Sequence, residues 1–167
     1  MTFLLLICCR HATVPIPEGG GSFPLSSPAF ASGGRIPVRF TCDGENASPP
    51  LSWSGAPKSD PLVLLVNDRD APSGLFLHWV VSLPPATNHL AEGRVPSGSV
   101  QGRNSFGHDR YEGPCPPPGD KPHRYVFRIY ALRGHGAPNL SATPDDLLGA
   151  LGRRVEGVGE LRGTYGR

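Results

Sequence analysis

One stretch decides the fold of this chain of 167 residues: Leu62-Val63-Leu64-Leu65-Val66-Asn67-Asp68-Arg69-Asp70-Ala71-Pro72. Its first half is an uninterrupted apolar run, which predicts a strand buried on both faces of a sheet. Its second half is polar and places two carboxylates, Asp68 and Asp70, directly after that strand. The sequence therefore predicts a buried central strand with reactive side chains at one end.

Other short runs that are rich in aromatic and β-branched residues predict further strands around this one. They lie at residues 36–40, 51–53, 78–83, 125–132 and 158–165. In the first of them apolar residues alternate with arginine and proline, and Pro37 favours a position at the edge of a sheet. The chain is thus predicted to be mostly β.

One helix is predicted near the end of the chain. Thr143 is a good N-cap, Pro144 takes the first helical position, and Asp146 completes a pattern resembling a capping box. The apolar residues that follow at helical spacing are Leu147, Leu148, Leu151 and Val155. Because Gly149 and Gly152 weaken the helix, we expect it to depend on packing against the sheet.

Composition excludes several classes of protein. Glycine (22 residues) and proline (20) are too frequent for a helical bundle or a coiled coil. A formal net charge of +2 without a basic run argues against a nucleic-acid surface. The longest apolar run, residues 3–9, is too short to span a bilayer. We therefore expect no nucleic-acid partner and no integral membrane segment.

The first 22 residues are expected to lie outside the folded domain, which is assigned to residues 23–167. Residues 10–22 have the composition of a linker, and residues 1–9 resemble a fragment of a signal peptide without its positive start. Residues 1–22 are interpreted as a disordered segment or a signal remnant. The expected location is cytoplasmic, with a periplasmic or secreted protein as the alternative if residues 1–9 are a signal remnant.

Polar residues stand at the ends of three predicted strands. Asp68 and Asp70 follow the first, His78 opens the second, and His123 and Tyr125 open the third. No nucleophile elbow, phosphate-binding loop, zinc-binding helix motif or dinucleotide-binding turn occurs. Each polar residue has an ordinary explanation alone, since aspartate often holds a turn before proline. Together, on neighbouring strands, they favour a binding site at one edge of the sheet.

Four motifs in the chain resemble, in order, those of the phosphatidylethanolamine-binding protein family, and within it the bacterial Raf kinase inhibitor-like branch. They are Cys42-Asp43-Gly44-Glu45-Asn46-Ala47-Ser48-Pro49-Pro50-Leu51-Ser52-Trp53, Asp68-Arg69-Asp70-Ala71-Pro72, His78-Trp79, and Gly113-Pro114-Cys115-Pro116-Pro117-Pro118-Gly119 followed by His123-Arg124-Tyr125. The resemblance runs from about Phe23 to the C-terminus. Arg69 stands where the family usually has proline, and Ser105 where it often has aspartate.

The resemblance implies an antiparallel β-sandwich with a short C-terminal helix and a small pocket for phosphate-bearing or other anionic groups. The ligand-binding residues it implies are Asp68, Asp70, His78, His123 and Tyr125 in the wall and Gly113, Pro114, Pro116 and Gly119 in the rim. An aspartate that accepts from a histidine ring N–H would favour the imidazolium, whose other nitrogen could then donate to a ligand oxygen. The Tyr125 hydroxyl would be a further donor.

The function expected from these residues is non-enzymatic binding of a small anion, such as phosphate, a phosphoester or a lipid head group, with no cofactor and no metal. Regulation of a protein partner, a kinase or a protease, is implied by the resemblance alone. The alternative is a metal-dependent or acid/base hydrolase that uses the same residues, because two aspartates and two histidines are adequate ligands for a divalent metal.

Cysteine is sparse, with Cys8, Cys9, Cys42 and Cys115 and no pair at zinc-binding or thioredoxin-like spacing. Cys42 and Cys115 both lie in motif loops, which favours a disulfide between them. The alternative is that both are buried free thiols, as a cytosolic location would favour.

Overall fold

The computed structural model describes residues 15–58 and 61–167. Its central feature is a curled eight-stranded sheet with the strand order β5-β2-β1-β8-β7-β3-β4-β6. The strands are β1 (Gly21–Ser26), β2 (Leu51–Trp53), β3 (Leu62–Asp68), β4 (Phe76–Leu83), β5 (His89–Leu90), β6 (Val100–Gln101), β7 (His123–Leu132) and β8 (Val155–Tyr165). β1 pairs with β8 in parallel, and the other pairs are antiparallel. The prediction of a mostly β chain with a C-terminal helix is confirmed.

The central strands are buried on both faces, as the apolar run in β3 predicts. Alternate side chains of β3 enter two different cores because successive residues of a strand point to opposite faces. Leu64 and Val66 pack in a core shared with residues of β1 and β2, whereas Val63 and Leu65 pack in a second core beneath the helix. The central strands β3, β7 and β4 are thus covered on one face by the curled part of the sheet and on the other face by the helix.

The helix α1 spans Pro144–Gly152 and has the predicted cap. The Thr143 hydroxyl oxygen accepts from the backbone N–H of Asp146 at 3.2 Å and donates to its carboxylate at 2.7 Å. Leu147, Leu148 and Leu151 are buried against the sheet. Val155 does not extend this helical face as predicted, since the helix ends at Gly152 and Val155 is the first residue of β8.

The strand predicted at residues 36–40 is wrong. The chain there forms one turn of 3₁₀ helix, Val38–Phe40, in which the backbone N–H of Phe40 donates to the carbonyl of Pro37 at 3.0 Å. Pro37 lacks the N–H that a sheet ladder needs, and its φ of −59° suits a turn. Sheet pairing is limited to a bridge between Arg35 and Thr164. The alternation of apolar residues at positions 36–40 therefore does not indicate a strand.

A β-bulge at His78 changes the direction of the side chains in β4. Val66 pairs with Trp79 and the next residue, Asn67, pairs with Leu77, so His78 is an extra residue between them. Leu77 lies in the core beneath α1, whereas Trp79 lies in the core between the layers of the sheet. Because bulges re-aim side chains, His78 joins Trp79 on the same side of the sheet, where its ring meets Tyr125.

The predicted N-terminal segment lies partly outside the described residues, which begin at Pro15. Within residues 15–22, Ile16 packs against the core beneath α1, and Gly21 and Ser22 belong to β1. Folded structure therefore begins before Phe23. No helix in the described part of the chain is long and apolar enough to cross a bilayer.

Candidate functional site

Four of the side chains singled out in the sequence meet at one end of β3, β4 and β7. We call Asp68, His78, His123 and Tyr125 the strand-end cluster; each is at most 6% exposed. β3 lies between β7 and β4 and pairs Asp68 with Tyr125. The Tyr125 ring lies 5.2 Å from the His78 ring and 6.5 Å from that of His123, centroid to centroid. The sheet order thus brings together residues that are far apart in sequence.

Asp68 organises the cluster through both of its carboxylate oxygens. Its Oδ2 accepts from Nδ1 of His123 at 2.7 Å, and its Oδ1 accepts from the backbone N–H of Asp70 at 2.8 Å. The first bond holds the imidazole in one orientation and leaves Nε2 for other partners. That nitrogen is 3.7 Å from a carboxylate oxygen of Asp120, which is half-exposed.

The His78 ring is held by the backbone rather than by a carboxylate. Its Nδ1 donates to the carbonyl oxygen of Glu112 at 2.7 Å. Burial lowers the pKa of His78, and the Glu112 carbonyl and the charge of Asp68 only partly oppose this. Asp68 thus raises the pKa of His78 as expected, but burial outweighs it and the net shift is downward. Its neutral Nε2 accepts a hydrogen bond, and donates one only after taking up a proton.

The Tyr125 hydroxyl is buried and has no hydrogen-bond partner of normal geometry. Burial, and then the negative charge of Asp68, raise the pKa of Tyr125 far above its ordinary value, so the group stays protonated. A buried hydroxyl without a partner is costly, by about 1–3 kcal/mol. The Tyr125 O–H is therefore a buried donor without a hydrogen bond of normal geometry, beside the Asp68 carboxylate.

Asp70, predicted to line the same pocket, is instead bound to Arg124. One Asp70 oxygen accepts from the backbone N–H and from Nε of Arg124, both at 2.8 Å, and the other accepts from Nη2. The hydrogen bond from Arg124 is the main reason that the pKa of Asp70 falls to about 2. Arg124 was not singled out in the sequence, although its place between His123 and Tyr125 puts it on the opposite face of β7.

The rim loop, residues 113–119, is fixed at its start. The backbone N–H of Gly113 donates to the Asn46 side chain at 2.6 Å, and a Cβ on Gly113 would lie 2.4 Å from the carbonyl oxygen of Phe40, so only glycine fits. The carbonyl of Pro114 accepts from the backbone N–H of Cys42 at 3.1 Å. Pro116 is buried, whereas Gly119, at φ +89°, is exposed.

Cys42 and Cys115 are joined by a disulfide, with their Cα atoms 5.4 Å apart. The bridge links the rim loop to the segment after the 3₁₀ turn. Both Cys42 and Cys115 are exposed.

Sequence reasoning missed the aromatic side of the site. The His78 ring packs edge-on against Phe76 at 5.4 Å and Phe106 at 5.3 Å, centroid to centroid, and these two phenylalanines contact each other. Phe106 is 41% exposed. Neither residue belongs to a recognisable motif, and only the position of Phe76 two residues before His78 indicated that it would share a side of the strand.

Within residues 15–58 and 61–167, no group of three or more histidine, cysteine, aspartate or glutamate side chains is arranged to hold a metal ion. Asp70 is bound to Arg124, and His78 turns Nδ1 towards a carbonyl. The residues on which the metal-dependent alternative rested are therefore not brought together as ligands.

Comparison with known proteins gives consistent matches over most of the chain. Residues 26–166 match the sequence profile of the phosphatidylethanolamine-binding proteins. A UPF0098 protein of Methanothermobacter thermautotrophicus is 47% identical over 150 residues, covering 86% of this chain and 98% of the relative. LppC of Mycobacterium tuberculosis, whose name includes the word lipoprotein, is 38% identical over 155 residues, covering 92% of this chain and 77% of the relative.

Two solved structures have the same fold. CT736 of Chlamydia trachomatis, described as a homologue of the phosphatidylethanolamine-binding proteins, has a TM-score of 0.78 and 39% identity, covering 89% of this chain and 99% of that one. YbcL of Escherichia coli has a TM-score of 0.79 and 33% identity, covering 87% and 98%.

Proposed function

The chain belongs to the phosphatidylethanolamine-binding protein family, and from that premise we propose that its strand-end cluster binds a small phosphate-bearing anion without transforming it. The observation that carries the proposal is the buried Tyr125 hydroxyl, which makes no hydrogen bond of normal geometry with the described residues and stands beside two imidazole rings and the Asp68 carboxylate. A bound phosphate oxygen would satisfy that hydroxyl.

The hydrogen-bonding pattern specifies what such a ligand must offer. Both rings use Nδ1 for protein acceptors, so the Nε2 atoms of His78 and His123 are the nitrogens left for a ligand. Neutral Nε2 of His78 accepts, so it suits the P–OH of a singly charged phosphate. A fully deprotonated anion binds there only together with a proton.

The best test uses calorimetry with inorganic phosphate and the variant Tyr125→Phe. Loss of the donor is expected to weaken phosphate binding by roughly ten- to a hundredfold, since a hydrogen bond to a charged group contributes roughly 1.5–3 kcal/mol. Tyr130→Phe is the matched control, because Tyr130 is also buried on β7 with an unpartnered hydroxyl but lies in the core beneath α1. Equal phosphate affinity in both variants would reject the proposal.

One geometric feature favours the second candidate, an acid/base hydrolase. The Asp68–His123 pair at 2.7 Å has the arrangement of a general base with its orienting carboxylate. Against it, no serine, cysteine or threonine nucleophile hydrogen-bonds to His123 among the contacts in the described residues. Turnover of p-nitrophenyl phosphate that disappears in His123→Ala would favour the hydrolase; binding of phosphate without turnover favours the binding protein.

We further propose that the protein works in an oxidising compartment, as a periplasmic or secreted protein. The Cys42–Cys115 bridge supports this, because stable disulfides are rare in the cytosol. The name of LppC is consistent with export in that relative. The hypothesis that the protein regulates a kinase or a protease is supported by the family resemblance alone.

A further inference from the structure

A cavity lies on the side of the sheet away from the strand-end cluster, between α1 and residues 15–18. It has a volume of about 740 Å³, which is within the range of small-molecule sites. Arg128, which lines it, alternates along β7 with Phe127 of the core between the layers, so the cavity is separated from the strand-end cluster by the sheet. We call it the α1 cavity.

The α1 cavity combines an apolar wall with guanidinium groups. The apolar part is formed by Pro15, Ile16, Pro17 and Leu148. The charged part consists of Arg69, Arg128, Arg153 and a single carboxylate, Glu18. An apolar wall with a few convergent polar groups is the usual composition of a ligand site.

Positive charge is in excess around the cavity. Arg128 is 4% exposed and donates to Glu160 at 2.5 Å, but Glu160 also accepts from Arg162 at 2.6 Å, so one carboxylate serves two guanidinium groups. Arg69 and Arg153 are exposed and have no carboxylate partner in the described part of the chain. The buried Arg128 is a fixed cation, and the other two are free to close on an anion.

The helix leaves room for a ligand beside these arginines. Gly149 lines the cavity, and a Cβ placed on it would have Nη1 of Arg153, at 3.8 Å, as its nearest neighbour. A larger side chain at this position would therefore project into the cavity without meeting the backbone. The glycine that weakens α1 is also the residue that keeps this space open.

We propose that the α1 cavity binds an anion that carries an apolar group, with Arg69 and Arg153 holding the charged head and the apolar wall holding the tail. Fatty carboxylates and alkyl phosphates share this chemistry. The site is independent of the strand-end cluster and of the function proposed for it.

The test is calorimetric titration of the full chain with octyl phosphate and, separately, with decanoate. Arg69→Ala and Arg153→Ala are each expected to weaken binding about tenfold, as loss of a charge-assisted hydrogen bond does. Gly149→Leu is expected to abolish binding by filling the cavity. Gly149→Ala is its matched control, since it strengthens the helix and leaves the cavity open. Whichever of octyl phosphate and decanoate binds more tightly identifies the head group that the cavity prefers.

Circular dichroism and thermal unfolding establish that Gly149→Leu is folded; if it is not, Arg69→Glu replaces it and is expected to abolish binding by repulsion. Binding at the α1 cavity is distinguished from binding at the strand-end cluster by repeating the titrations with Tyr125→Phe. This variant is expected to leave the binding of both probes at the α1 cavity unchanged. The proposal is overturned if neither probe binds, if the Arg69 and Arg153 variants bind as the parent does, or if only Tyr125→Phe weakens binding.

Discussion

The His78 ring and the backbone of Glu112 are joined by a 2.7 Å hydrogen bond from Nδ1 to the carbonyl oxygen. This contact crosses from β4 to the segment that leads into the rim loop. Because the carbonyl can only accept, Nδ1 carries the proton, and Nε2 of the neutral ring is left with a lone pair. The pH behaviour of the site follows from this arrangement.

Sulfate binding is expected to strengthen as the pH falls. Sulfate keeps a fixed charge in this range, so it requires Nε2 of His78 to be protonated, and the pKa of His78 is lowered from its ordinary 6.5 by burial. Above the lowered pKa, each pH unit of acidification should increase affinity by up to about tenfold, for the uptake of one proton. Calorimetry between pH 7.5 and 5.5, in buffers of different ionisation enthalpy, measures both the affinity for sulfate and the number of protons taken up on binding. In His78→Gln the affinity should vary much less with pH; a flat curve for the parent chain contradicts the assignment.

Folding stability without ligand is expected to decline as the pH drops below 6.5. The unfolded chain protonates His78 near the ordinary value, whereas the folded chain resists protonation because the pKa is lowered. The unfolded state then binds more protons, so the free energy of unfolding falls on acidification until the lowered pKa is reached. Urea unfolding at pH 7.5, 6.5 and 5.5 measures this. The decline should be smaller in His78→Gln, and parallel curves for the two chains would show that His78 is not the group responsible.

Asn46 is predicted to position the rim loop. It accepts from the backbone N–H of Gly113 at 2.6 Å and donates to the Glu112 carboxylate at 2.8 Å. Asn46→Ala leaves the backbone N–H of Gly113 without its partner and removes one of the donors to the Glu112 carboxylate, which keeps His108 and Arg110. It should destabilise the fold by about 1–3 kcal/mol. Because Asn46 has φ +55°, Asn46→Gly separates backbone strain from lost hydrogen bonds. Denaturant unfolding should place the glycine variant between the parent and the alanine variant; parent-like stability in both would show that these bonds contribute little.

The disulfide is predicted to stabilise the fold substantially. It closes a loop with a sequence separation of 73, and the chain-entropy model assigns a loop of that length about 4 kcal/mol. The double variant Cys42→Ser, Cys115→Ser should show a correspondingly lower free energy of unfolding. Cys8→Ser, Cys9→Ser is the control. Thiol counting on the unfolded, unreduced parent should find Cys42 and Cys115 unreactive, and reaction of all four cysteines would exclude the bridge.

Much of this architecture could be read from the sequence because the signals were local. The apolar run of β3, the capped start of α1 and the polar residues after β3 each depend on a few neighbours. The bulge at His78 could not be read, since it exists only in the pairing of β3 with β4. The same holds for Asp70, whose position in a motif suggested a ligand but whose carboxylate is bound to Arg124. The position and contacts of such side chains are determined by partners that are distant in sequence, rather than by residue type.

The parallel pairing of β1 with β8 has a consequence for how the chain reaches its native state. Gly21 pairs with Gly157 and Pro24 with Glu160, so β1 finds its neighbour β8 only after all of the strands between them have been synthesised. Contacts of such high sequence separation form slowly, because loop closure must precede them. Until β8 arrives, β7 presents an unpaired edge of ten residues, and exposed edges of that kind template aggregation. The incomplete chain is therefore the stage at which this edge is most open to pairing with other chains.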